Sequence, residues 1–142
     1  GLYIRDCHNL KELPKEIENL SNLADLKIEG CHNLEELPKE IGNLSNLYWL
    51  SIRGCHNLKE LPKEIGNLSN LTDLTIEDCP NLKELPKEYW NNWNKGATRN
   101  YRIYIDIKNG DNVELLKSTL DSAISNSANK ILALHLRQFD DD

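Results

Sequence analysis

The chain has 142 residues, 17 Lys and Arg against 23 Asp and Glu, a formal net charge of −6 and an isoelectric point near 5.2. That balance argues against a nucleic-acid surface, which needs clustered positive charge. No apolar run approaches the ~20 residues of a membrane span, and no signal peptide precedes Gly1, so a soluble module away from the membrane is expected.

A 24-residue phrase is written three times and begun a fourth. Cys7-His8-Asn9-Leu10 recurs at Cys31–Leu34 and Cys55–Leu58, and returns altered as Cys79-Pro80-Asn81-Leu82. From Cys31 to Leu47 and from Cys55 to Leu71 only Glu35 and Lys59 differ. A fixed period of this size marks a stack of units, each too small to bury its own apolar face. The chain contains no methionine and starts at a strand position. Gly1 therefore reads as a processing scar, with further repeats or an N-terminal cap expected upstream, because an uncapped stack exposes its core.

Within one unit, Leu26 and Ile28 alternate with Asp25, Lys27 and Glu29, the period-2 mark of a strand. Leu34, Leu37, Ile41 and Leu44 then fall at spacings that a tight 3₁₀-like arc turns inward. Pro38 forbids a regular strand there and fixes the bend. Each unit is thus a short strand and a curved return, and all strands run parallel. Leu26, Leu50 and Leu74 form one buried column; Ile4, Ile28, Ile52 and Ile76 form another.

The frame L-x-x-L-x-I-x-x-C-x-x-L, at Leu23–Leu34, Leu47–Leu58 and Leu71–Leu82, resembles the leucine-rich repeat. With cysteine in the ladder and L-x-x-L-P-x-x-I-x-N-L behind it, the text is similar to repeats of plant intracellular immune receptors of the TIR/NB-LRR type and of bacterial interaction proteins. The resemblance covers residues 1 to about 93. It implies an α/β solenoid, with the cysteine pointing inward to backbone groups of the turn. It also implies a non-catalytic module that binds proteins through its concave sheet face.

The four cysteines form one column, one per unit. Units about 5 Å apart are within bridging range, but parallel Cβ vectors aim poorly at one another. Buried free thiols are expected, and with them a reducing, cytoplasmic compartment. A Cys-His zinc site needs both side chains to converge, whereas neighbours on an extended segment face opposite sides. His8, His32 and His56 therefore read as a solvated row, with no metal and no cofactor. Four Asn-x-Ser/Thr acceptor patterns, at Asn19, Asn43, Asn67 and Asn70, read as polar turns inherited with the repeat. The Lys39-Glu40 and Lys63-Glu64 pairs read as a solvated convex face.

The outward strand positions vary where the returns are copied. Ala24, Tyr48 and Thr72 make one column, and Asp25, Trp49 and Asp73 the next. Lys27, Ser51 and Thr75 follow, then Arg5, Glu29, Arg53 and Glu77, whose alternating signs allow pairing across the sheet. Large aromatics on an exposed sheet are typical interface anchors. The candidate partner-binding residues are Tyr48, Trp49, Arg53, Asp73 and Tyr104, and the expected partner is a protein. Monomer or weak self-association through the uncapped N-terminal end is expected. The alternative is an idealised or recently duplicated scaffold without an evolved partner, or a fragment of a microbial effector.

Repeats give way after Glu88 to a C-terminal segment, 94–142. Tyr89 takes the place of Ile41 and Ile65, and Trp90 and Trp93 are expected to plug the end of the core. After a loop at 94–100, Tyr101–Ile107 alternates as a strand. Asn109-Gly110 turns the chain, and Asp111 with Glu114 makes a capping-box-like helix start. Val113, Leu116, Leu120, Ala123 and Ile124 predict an apolar stripe on a helix reaching about Ser127. A last strand at Ile131–Arg137, with Leu132, Leu134 and Leu136 inward, completes a βαβ cap that continues the sheet, with a frayed tail at 140–142. No histidine has a nucleophile and an orienting acid at a recognised spacing, and no glycine-rich phosphate loop exists, so no catalytic activity is expected.

Overall fold

A computed structural model describes residues 1–94, 101–107, 110, 112–126 and 132–137, with backbone alone for 92–94 and 132–137. Six parallel strands form one sheet in chain order: β1 (Leu2–Arg5), β2 (Asp25–Glu29), β3 (Trp49–Arg53), β4 (Asp73–Glu77), β5 (Tyr101–Asp106) and β6 (Leu132–Arg137). The register sets each residue beside its counterpart one repeat away. Leu2, Leu26, Leu50, Leu74 and Ile103 are successive partners, as are Ile4, Ile28, Ile52, Ile76 and Ile105. The two expected columns thus extend beyond the repeats into β5, and β4 pairs with β5 in parallel.

Each of the first four strands is followed by a residue with left-handed backbone. Gly30 and Gly54 hold φ of 68° and 67°, and Asp6 and Asp78 hold 56° and 50° at the same repeat position. There the chain turns while its amide still serves the ladder. Asp6, Gly30 and Gly54 donate to Glu29, Arg53 and Glu77 carbonyls at 2.8–2.9 Å. The cysteine follows directly. Cys31 and Cys55 lie buried and donate to the Glu29 and Arg53 carbonyls at 3.7 Å, and Cys79 to that of Glu77 at 3.2 Å. The described cysteines are all free thiols.

The returns are 3₁₀ turns at Lys15–Asn19, Lys39–Asn43, Lys63–Asn67 and Lys87–Asn94. In the first three, a proline in extended conformation, ψ 144–149°, precedes the turn and directs the chain into it. Two asparagine ladders, not anticipated from the sequence, tie returns together. Asn46 and Asn70 donate to the Ser21 and Ser45 carbonyls at 2.9 and 2.6 Å, and Asn33 and Asn81 to those of His8 and His56. Each bond reaches back one unit, so the returns stack in the same order as the strands.

Tyr89 and Trp90, at the places of Ile65 and Gly66 in the preceding unit, are buried in the core with their rings edge-to-face at 5.1 Å. Over this return packs α1 (Val113–Asn126), with Ser118 Oγ donating to the Lys83 carbonyl at 2.9 Å. Of the expected stripe, Ala123 is buried, Val113, Leu116 and Leu120 are half-buried, and Ile124 is turned outward. The buried line is Leu115, Thr119 and Ala123, while Ile124 is 69% exposed. Two polar anchors set that rotation. One is Ser118. The other is Asn112, buried just before the helix at φ 60°, whose side chain accepts from the Cys79 amide at 3.2 Å and donates to the Cys79 carbonyl at 2.6 Å. Small residues at 119 and 123 then let the helix approach the return.

β6 pairs in parallel with β5, Leu134 beside Ile103 and Leu136 beside Ile105. Asp111 of the expected capping box lies outside the described residues, as do the 95–100 loop, Asn109, Ile131, Ser127, the tail, and the side chains of Trp93, Leu132, Leu134 and Leu136.

Asn112 serves two backbone groups buried where water cannot replace it. Asn112→Ala is therefore expected to cost about 2–4 kcal/mol in urea unfolding, from two unmet buried groups. Ile124→Ala, at an exposed site, is expected to stay within about 0.5 kcal/mol. Equal effects of the two would remove Asn112 from its role as the anchor of α1.

Candidate functional site

Alternation that buries Leu26 and Ile28 must turn Asp25, Lys27 and Glu29 to the other face of the sheet, and the parallel register repeats this in each unit. Three transverse rows result. Asp25, Trp49, Asp73 and Arg102 are partners in the first. Tyr3, Lys27, Ser51, Thr75 and Tyr104 form the second, and Arg5, Glu29, Arg53 and Glu77 the third. Much of this face is one trough of about 820 Å³, lined among others by Tyr3, Lys27, Trp49, Arg53, Asp73 and Tyr104.

Trp49 is half-buried and held from two sides. Its indole N–H donates to Thr75 Oγ1 at 3.1 Å, and the Lys27 ammonium lies 4.6 Å from the ring centroid. That ammonium contact is a cation–π arrangement across β2 and β3. In the third row Arg53 bridges two strands, with Nη1 3.6 Å from Glu29 and Nε 3.3 Å from Glu77. The alternating signs thus pair as expected around Arg53. Arg5 instead turns to Asp6 at 3.4 Å, and Glu29 accepts the Tyr3 hydroxyl. That hydrogen bond, with burial and the Glu29 charge behind it, holds the Tyr3 phenol above its ordinary value. Asp73 accepts the Thr72 hydroxyl at 2.8 Å, and Asp25 lies 3.4 Å from the Gly1 amine.

Of the five residues singled out from the sequence, Trp49, Arg53, Asp73 and Tyr104 line this one trough. Tyr48 does not line it. It is 47% exposed just ahead of β3, where its carbonyl accepts the Thr72 and Asp73 amides at 3.0 Å. The sequence reading passed over Tyr3, Lys27, Glu29, Ser51, Thr75 and Glu77 as site residues. The period-2 alternation already places them on this face; what it lacks is which side chains meet.

Elsewhere the histidines stand in an exposed file. His8 and His32 rings are 5.2 Å apart, and His32 and His56 stack within 5° of parallel at 4.7 Å. His56 reaches Asp78 at 3.0 Å. Among the described residues, no group of three or more His, Cys, Asp and Glu side chains is placed to hold a metal ion. Nor, among them, is any helix long and apolar enough to cross a membrane.

Parallel strands in 24-residue register, with a cysteine at each turn and 3₁₀ returns, match the pattern found by comparison. The sequence model of a leucine-rich repeat region matches residues 2–86. The chain belongs to the leucine-rich repeat family. A comparison with curated proteins finds no match. Membership in the leucine-rich repeat family points to a protein-interaction module and gives no indication of catalysis.

Within this leucine-rich repeat stack the cysteines differ by position. Cys7 is exposed, contrary to the expectation of uniform burial, because its unit is covered on one side only. Burial raises the Cys31 thiol above its ordinary value, while the contact between Cys55 and Cys79 holds Cys79 well above the ordinary value and Cys55 below it. At Cys31 the native state so keeps a proton that the unfolded chain releases. Stability is expected to fall as pH rises past the ordinary thiol value of 9.0. With a thiol-specific chromogenic reagent at neutral pH, Cys7 is expected to react at once and the other three cysteines only after denaturation. Four equally fast thiols would contradict the burial described.

Proposed function

We propose that this leucine-rich repeat chain is a non-catalytic recognition module that binds a protein partner on the outward face of its sheet, centred on Trp49. The observation that supports this is the fixed Trp49 indole in the trough, with Arg53, Asp73 and Tyr104 around it. An indole held by Thr75 and Lys27 has little rotamer freedom left to lose, so it meets a partner already ordered. The repeat does not require it, since its counterparts are Asp25 and Asp73. Tyr48 lies at the margin of this surface and is proposed as a peripheral contact.

Three further elements of the proposal rest on the sequence and the environment of single residues. Free, buried thiols favour a reducing, cytoplasmic location. The cysteine-bearing frame favours a role like that of intracellular immune-receptor repeats. Leu2, Leu10 and Leu23 are only partly buried at the β1 end, which supports weak self-association there in an otherwise monomeric protein.

Trp49→Ala is expected to weaken the partner complex by about 2 kcal/mol or more with little loss of fold stability, as for a central interface anchor. Glu64→Lys, on the copied convex face, is expected to change affinity by only a few tenths of that. The check is capture of partners from the producing cells with each variant, followed by titration of the purified partner. Loss of binding with Glu64→Lys and retention with Trp49→Ala would place the surface on the other side of the solenoid.

A further inference from the structure

We propose that Trp49 and its flanking carboxylates form a receptor for a cationic side chain, so that the partner segment carries a lysine or arginine at this point. The proposal rests on the sheet face being the binding surface and names the chemistry that it selects.

Two of the three rows have the same outline, a carboxylate on β2, a central residue on β3 and a carboxylate on β4. In the third row the centre is Arg53, whose guanidinium meets Glu29 at 3.6 Å and Glu77 at 3.3 Å. In the first row the centre is Trp49, between Asp25 and Asp73. At its centre that row sets the electron-rich face of an indole between two carboxylates, with Arg102 beyond Asp73 on β5, and the centre itself supplies no cation. A cation is nevertheless found there. Lys27 reaches over from the second row and sets its ammonium 4.6 Å from the ring centroid.

Lys27 therefore occupies a place that the row itself makes attractive to positive charge. Its aliphatic stem has four rotatable carbons and can lift the ammonium away, whereas the indole is tied to Thr75. An incoming basic side chain displaces Lys27, takes the ring face, and lies beside Asp73. Charge in the rest of the trough agrees. Arg53 is already spent between Glu29 and Glu77, whereas Asp73 takes its hydrogen bond from the neutral Thr72 hydroxyl.

The test uses an N-acetylated, C-amidated peptide of alternating glycine and lysine with three lysines, and its glutamate counterpart. Each is titrated into the full chain while the Trp49 indole N–H resonance is followed by NMR. The lysine peptide is expected to shift this resonance and the glutamate peptide to leave it unmoved. Lys27→Ala is expected to tighten lysine-peptide binding about two- to five-fold, the size of an exposed cation–π contact. Asp73→Asn is expected to weaken it by at least as much, and Glu64→Gln to leave it unchanged. An equal shift with the glutamate peptide, or no gain with Lys27→Ala, overturns the proposal. If the lysine peptide fails while Trp49→Ala still loses the protein partner, the surface stands and its cationic specificity falls. If both fail, the surface itself is wrong.

Discussion

Every residue of this stack must tolerate its own counterpart as a neighbour about 5 Å away, and the rest of the structure follows from that constraint. Leucine on leucine and isoleucine on isoleucine satisfy it, and so both columns run through the four repeat strands without change. Asparagine also satisfies it, since an amide donates back to the preceding return. Glycine is required where the spacing becomes too short. A Cβ at Gly42 would lie 2.6 Å from the Glu64 carbonyl oxygen, and one at Gly66 would lie 2.4 Å from that of Glu88. On the sheet face charge satisfies it by alternation, as Glu29, Arg53 and Glu77 show.

The departures from copying occur where a neighbour changes. Glu18 stands at the position of Gly42 and Gly66, and its carboxylate accepts the Asn43 amide at 2.8 Å. Asp78 replaces glycine in the fourth unit, keeps the left-handed turn, and gives His56 a carboxylate at 3.0 Å. Pro80 replaces histidine and ends the imidazole file. Cys79 gives both its amide and its carbonyl to Asn112, so the fourth unit is bound by an element that is no repeat.

The sheet, its direction and its register were legible in the sequence because period 24 and alternation leave no freedom once the units stack. The rotation of α1 was not legible. Counting apolar residues favoured Val113, Leu116, Leu120, Ala123 and Ile124, of which only Ala123 lies on the fully buried line, whereas the geometry is fixed by Asn112 and Ser118, two polar residues whose partners lie 33 and 35 positions back. The exposure of Cys7 was missed for a similar reason: burial depends on place in the stack, and the four units read alike. On the sheet face the columns were readable and the contacts between them were not. Trp49 meets Lys27 and Thr75 diagonally, from the neighbouring row, and a diagonal contact depends on side-chain direction as much as on register.

The proposed recognition role of the face rests on that diagonal. In the third row Arg53 holds three strands together through Glu29 and Glu77. In the first row the central indole leaves closure to a borrowed ammonium. A borrowed contact on a flexible stem is weaker than a built one, by about the 0.5–1 kcal/mol of an exposed cation–π pair. The same sheet thus has a row whose interactions are internally satisfied beside a row whose satisfaction is exchangeable. Exchange at low cost is the physical requirement of a recognition surface, because the free protein must stay soluble and ordered without forfeiting what the partner will gain. Variation confined to a few outward positions supplies both conditions, and the copied returns keep the scaffold beneath them unchanged.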